Sequence, residues 1–173
     1  MDMRSLRAVE KKTKKAERVE LTVNELAHGG DAVAIVERDG VRRAVFVRGG
    51  APGDRITADV DFSSRPARGK LVELLARGAD RVAPPCPYTA RCGGCNWMHI
   101  ARESQPKLHA AIVRAALPER WRQAPIVAHP SPGGARTRAR LHVRVHRGHV
   151  AVGFFEARSH DPVEVDACAA LHP

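Results

Sequence analysis

Aromatic side chains are scarce in this chain of 173 residues: four Phe, two Trp and one Tyr, or 4%. A core with so few rings has to rest on Val, Leu, Ile and Ala, and an apolar fraction of 43% supplies enough of them. No apolar run reaches the length of about 18 residues that a membrane-spanning helix needs. The basic N-terminus lacks the apolar stretch of a secretory signal. Cysteine is rare as well, at four residues. The expected compartment is therefore cytoplasmic and reducing, with no membrane partner. Clustered cysteines in such a compartment are ligands more often than disulfides.

Acidic residues are also in short supply. Nineteen Asp and Glu face 29 Lys and Arg, for a formal net charge of +10. That excess points to an anionic partner. Arginine dominates it, and the planar guanidinium suits phosphates and base edges. A nucleic acid is the expected partner. Lysine is concentrated near the N-terminus, in Lys11-Lys12-Thr13-Lys14-Lys15. Residues 1–18 carry no core of their own and read as a disordered basic tail or a nucleic-acid arm.

From residue 19 to 77 the pattern is β. Short runs rich in Val and Ile are separated by turn signals, among them His28-Gly29-Gly30-Asp31, Asp39-Gly40, Gly49-Gly50-Ala51-Pro52-Gly53-Asp54 and Ser63-Ser64-Arg65-Pro66. Asp39-Gly40 between two apolar runs is a strong hairpin signal. Strands near 18–26, 32–38, 41–48, 54–62 and 68–76 give five short antiparallel strands. A set of that size closes into a small OB-like barrel, which removes exposed edges. Val33, Ile35, Val45, Val47, Ile56, Ala58 and Val60 are expected to point inward.

Residues 78–173 read as a small α+β unit, so the fold class is mainly β with some α. Ser104 to Leu117 has helical spacing, with Leu108, Ala111, Ile112, Ala115 and Ala116 on one face, Ser104 as a cap and Pro106 in the first turn. Residues 135–146 alternate: Leu141, Val143 and Val145 on one side, Arg140, His142, Arg144 and His146 on the other. Arg147-Gly148 makes a turn, and His149 to Phe155 returns with Val150, Val152 and Phe154 as its apolar face. Pro162 to Val165 is a further candidate strand. Arg136, Arg138, Arg140 and Arg144 are the candidate nucleic-acid contacts.

Three of the four cysteines lie in Cys86-Pro87-Tyr88-Thr89-Ala90-Arg91-Cys92-Gly93-Gly94-Cys95, and the fourth is Cys168, after 72 intervening residues. Thiolates are soft ligands that select zinc, copper(I) or iron–sulfur clusters. A zinc ribbon normally offers two C-x2-C knuckles, and only Cys92–Cys95 has that spacing. Three ligands from one loop and one from far away is the commoner pattern for a [4Fe–4S] cubane. Zinc is the alternative, as are cysteines that share no metal. The ferredoxin run C-x2-C-x2-C-x3-C-P is absent. Gly93 and Gly94 would permit positive φ and close backbone approach, with N–H groups aimed at sulfur. Trp97 is expected either to stack a base or to cover the cluster, and His99 to be packed or solvated, or to contact RNA or the cluster.

These residues resemble the N-terminal half of the S-adenosylmethionine-dependent RNA uracil-5-methyltransferases, the 23S rRNA type. Val19–Ala76, with Gly29-Gly30, Ala44-Val45-Phe46-Val47 and Ala51-Pro52-Gly53-Asp54, looks like the RNA-binding TRAM domain. Arg81-Val82-Ala83-Pro84-Pro85-Cys86-Pro87 followed by Cys92-Gly93-Gly94-Cys95 looks like the family's cluster loop. Gly153-Phe154, Arg158-Ser159-His160-Asp161, Cys168 and Leu171-His172-Pro173 resemble the segment with the fourth ligand. Arg136-Thr137-Arg138-Ala139-Arg140-Leu141 resembles the family's Arg-rich strand. Two positions depart from the pattern: Ala135 where the family often has an aromatic, and Asn96-Trp97-Met98-His99 where a Gln usually follows CGGC.

The resemblance implies a [4Fe–4S] cluster on Cys86, Cys92, Cys95 and Cys168, and an rRNA or tRNA partner. It also implies methyl transfer by a domain that holds S-adenosylmethionine and supplies a nucleophilic cysteine. With all four cysteines used as ligands, none is left for that role. No Gly-rich loop follows a strand and opens a helix as a cofactor site would require. The chain is expected to be inactive alone and to rely on a methyltransferase domain, which could be separately encoded. A stand-alone RNA-binding protein and a zinc-stabilised nucleic-acid adaptor are the competing expectations.

Overall fold

A computed structural model describes residues 16–130, 136–146 and 148–171. The Lys11–Lys15 run, Gly133-Gly134, Ala135, Arg147 and His172-Pro173 lie outside the described residues. The fold is mainly β with some α, as two sheets and one α-helix.

The first sheet contains β1 (Glu17–Thr22), β2 (Glu25–Leu26), β3 (Ala32–Arg38), β4 (Val41–Val47), β5 (Arg55–Asp61) and β6 (Ala67–Ala76). Its order is β1-β5-β6-β4-β3-β2. The strand expected over 18–26 is thus two strands, interrupted at Val23-Asn24. Those two halves form the two ends of the sheet, so the chain itself joins the ends and the sheet curls into a barrel. At the break, Val23 N–H donates to the Asp54 carbonyl and the Asn24 side-chain oxygen accepts from Ile35 N–H. Asp39 and Gly40 both take positive φ in the β3–β4 turn, as a type I′ hairpin requires. One pairing differs from expectation: β4 and β6 run parallel.

The barrel interior is aliphatic, built on Leu21, Val23, Val45, Val47, Ile56, Ala58 and Val60. Ile35 is a correction. It is exposed, and Ala32 and Ala34 take the inward positions of β3. The reason is the pleat: side chains alternate along β3, so with Ala32 and Ala34 facing the interior Ile35 faces out.

Beyond β6 the chain leaves and re-enters at one point. Arg81 bridges to Ile100, and Val82 N–H donates to the His99 carbonyl. The cysteine loop is the excursion between. Ile100 joins the barrel core, with Trp97, Leu108 and Ile112 packed against it. Helix α1 (Gln105–Ala116) therefore lies on the barrel through Leu108 and Ile112, while Ala111, Ala115 and Ala116 stay exposed. Ser104 stands at its N-cap but makes no cap bond; its hydroxyl donates to Asp80 at 2.7 Å.

The second sheet is β7 (His142–His146), β8 (His149–Phe155) and β9 (Pro162–Glu164), in that order and antiparallel. The strand expected from residue 135 begins only at His142. Arg136 instead forms an isolated bridge with Leu171, and Arg138 and Arg140 lie in irregular chain.

Candidate metal centre and nucleic-acid interface

The cysteine loop is wound from tight turns. Cys86 carbonyl accepts from Thr89 N–H at 3.3 Å and from its hydroxyl at 2.8 Å, and Tyr88 carbonyl accepts from Cys92 N–H at 2.7 Å. Sheet two then docks on it. Gly93 N–H donates to Phe155 carbonyl at 2.8 Å, Ala157 N–H donates to Arg91 carbonyl, and Cys92 bridges to Glu156. Neither Gly93 nor Gly94 takes a positive φ, contrary to expectation. Close approach explains Gly93: a Cβ there would stand 2.9 Å from Phe155 carbonyl and 3.3 Å from Ala157 backbone. The expected N–H to sulfur contact is present, from Gly94 to Cys92 Sγ at 3.3 Å.

Tyr88 ties this loop to the remote cysteine. Its hydroxyl donates to the Asp166 carboxylate at 3.1 Å and accepts from Asp166 N–H at 3.3 Å. Cys86, Cys92, Cys95 and Cys168 consequently line one pocket, together with Met98, Phe154, Val165 and Arg136. All four thiols are free. Burial pushes the Cys95 thiol upward; the nearby Arg136 charge opposes this, and the other three sulfurs add to it. Among the described residues no three ligand-type side chains converge tightly enough to hold a single metal ion. The donor set is four soft sulfurs in an apolar pocket with one N–H already aimed at sulfur, which fits a thiolate-bound group.

The barrel grips this loop partly through Arg48, which the sequence did not single out. Arg48, just past β4, donates to Cys92 carbonyl at 2.6 Å and Cys95 carbonyl at 3.2 Å. Arg81 donates to the buried Asp54 carboxylate at 2.6–2.9 Å and to Gly49 carbonyl at 2.5 Å. Asp54 also accepts from Ala51 N–H and Gly78 N–H. Burial alone would raise its pKa, but these donors outweigh it and hold the carboxyl below its ordinary value. A second link is Arg158, in left-handed conformation, whose guanidinium meets Asp31.

Trp97 does not line the cysteine pocket. It stacks on His109, with centroids 4.1 Å apart, and lies where a Cβ on Gly30 would stand 2.4 Å from its Nε1. His99 is buried, and its Nε2–H donates to Gly50 carbonyl at 3.0 Å. Burial holds its pKa below the ordinary histidine value, with Arg81 and Arg48 acting the same way and Gly50 and Asp54 opposing. Native His99 thus refuses a proton that the unfolded chain accepts near pH ~6.5. Stability is expected to fall as pH drops through that range. His99→Gln should flatten this part of the profile in urea unfolding between about pH 7.5 and 5.5.

The candidate RNA residues do not form one strand face. Arg138 and Arg140 are exposed. Arg136 turns toward the cysteines. Arg144 donates to His160 carbonyl at 3.1 Å and lies 3.9 Å from Asp161. His142 stacks on Phe155 at 3.7 Å, and no helix among the described residues is long and apolar enough to cross a membrane.

No family model matches the chain. It is 36% identical over 171 residues to a 23S rRNA (uracil(1939)-C(5))-methyltransferase of Halomonas elongata, covering 96% of this chain and 35% of the relative. A protein of the same name from Alkalilimnicola ehrlichii is 33% identical over 164 residues, covering 89% and 35%. An uncharacterised RNA methyltransferase of Halalkalibacterium halodurans is 28% identical over 167 residues, covering 92% and 35%. The chain spans about 35% of the length of these curated relatives.

Proposed function

We infer that this chain, homologous to the N-terminal part of 23S rRNA uracil-C5 methyltransferases and related RNA methyltransferases, is the segment that grips RNA and carries an iron–sulfur cluster for such an enzyme. The observation that carries this reading is the convergence of Cys86, Cys92, Cys95 and Cys168 on one pocket beside the barrel. Those four would hold a [4Fe–4S] cluster, with Gly94 N–H on sulfur and Met98 and Phe154 shielding it. Bound there, a cluster would cross-link the loop to the Cys168 segment and is expected to be structural. A cytoplasmic, reducing setting keeps the thiols available.

Every cysteine of the chain lines that pocket, so its residues supply no attacking thiol for uracil. Methyl transfer and S-adenosylmethionine binding would fall to the part of the relatives that this chain does not match. What these residues would do is hold RNA. The TRAM-like barrel supplies a rigid body, and Arg138 and Arg140 supply exposed guanidinium groups for phosphates. The two lobes are pinned together by Arg48, Arg81 and Arg158. RNA would therefore meet a fixed surface.

A salt titration of binding to a structured rRNA fragment tests the reading. Arg138→Ala is expected to weaken binding and reduce the salt slope by about one unit. Arg144→Ala should change the slope less, because Arg144 already serves His160 and Asp161. Failure of the wild-type chain to bind RNA at low salt would overturn it.

A further inference from the structure

The second sheet has one face that is only half covered. The register sets Val143 opposite Val152 and Val145 opposite Val150. Cross-strand partners share a face, so the four valines form one block. Phe154 and Val163 are paired on the same face one step further along. There the face is closed: Val163 is buried and Phe154 lines the cysteine pocket. The valine block is open. Val143 is 64% exposed, Val145 66%, Val150 51% and Val152 36%, and Leu141, just ahead of β7, is 44% exposed. A sheet that keeps one face in water normally sets polar side chains there. Contiguous apolar patches of this kind mark interaction surfaces.

Two further features bear on what covers it. Strand β7 is an edge, with no strand partner on its outer side among the described residues. Leu171 bridges to Arg136, a few residues ahead of β7. Each relative has nearly two thirds of its length beyond the match. A second copy of this chain is disfavoured, because each carries a net charge of +10 and the patch is flanked by Arg138 and Arg140.

We propose that the valine face of β7 and β8 is the docking surface for polypeptide corresponding to the unmatched two thirds of the methyltransferase relatives, which lays an apolar surface over it. The proposal rests on the methyltransferase reading above. It adds where the catalytic portion sits: on the sheet that carries the Cys168 segment, away from the barrel.

The test compares the free chain with a chimera in which it replaces the matched part of the Halomonas elongata relative. Carbene labelling of Val143 and Val145 is expected to fall about tenfold in the chimera, with hydrogen exchange in β7 slowed to a similar extent. Adding the relative's unmatched polypeptide to the free chain should give the same protection. Equal labelling in every case would overturn the proposal. So would a free chain that is already a dimer and that Val145→Asp makes monomeric. The conservative pair Val143→Thr with Val145→Thr should leave melting of the free chain nearly unchanged while destabilising the chimera. RNA binding by the free chain reports separately: binding without protection rejects the docking face alone, and protection without binding rejects the RNA reading alone.

Discussion

Cys168→Ala is expected to give a colourless protein with almost no bound iron, where the wild type, purified without oxygen, is brown and holds about four irons per chain. The argument is geometric. Cys168 is the sole cysteine in the pocket that comes from outside the 86–95 loop. On the cluster reading, removing it would leave three ligands and no metal-mediated tie between the loop and the Cys168 segment. The Tyr88–Asp166 hydrogen bonds remain. They are individually worth about 1 kcal/mol, far less than a bound metal group contributes to folding. Protection of β8 and β9 amides should therefore collapse with the iron, while the barrel keeps its own. Iron and sulfide analysis with near-ultraviolet absorption checks the first part, and hydrogen exchange the second. A colourless wild type with one zinc would reject the cubane. Full iron content in the variant would reject Cys168 as a ligand.

Asp54→Ala is expected to cost about 3–5 kcal/mol, a large share of a domain's total stability. The carboxylate is fully buried and the Arg81 side chain nearly so. Its loss strands the guanidinium and also the N–H groups of Ala51 and Gly78. The double change Asp54→Leu with Arg81→Met should cost less than the two single changes added together, because no buried charge is left alone. Recovery should stay incomplete, since the two N–H groups still lack an acceptor. Urea unfolding of the four proteins closes the cycle. Asp54 also sets a pH dependence. Its folded pKa lies below the unfolded value, so its contribution is present above about pH 4 and is lost as pH falls below that.

The barrel was legible in outline because its signals are local. Asp39-Gly40 marks a hairpin without reference to the rest of the chain, and alternation marks β4 and β5. What failed depends on distant neighbours. Ile35 is more apolar than Ala34 and so reads as core, yet the register of β3 on β4 turns Ala32 and Ala34 inward and Ile35 out. The parallel pairing of β4 with β6 leaves no trace in either strand's own sequence. Residues 135–141 alternate as a strand does, but β7 finds its partner only from His142 onward.

The cysteines were readable for the opposite reason. They are few, chemically distinctive and used together, so their number alone suggests a set. Arg48 belongs to a chain full of arginines, and nothing in its local context marks it as a clamp on the cysteine loop; Arg81 stands in the cluster-loop motif, but its partner Asp54 lies 27 residues away. Tyr88 is the sole tyrosine, but its partner lies 78 residues away.

That distance has a consequence in time. Ribosomes extend a chain at roughly 5–20 residues per second. The 72 residues between Cys95 and Cys168 therefore take roughly 4–14 s to synthesise. Throughout that interval Cys86, Cys92 and Cys95 are in the growing chain without their fourth partner. On the cluster reading, iron and sulfide have to be delivered after β9 has emerged, to a nascent chain whose barrel has had time to fold.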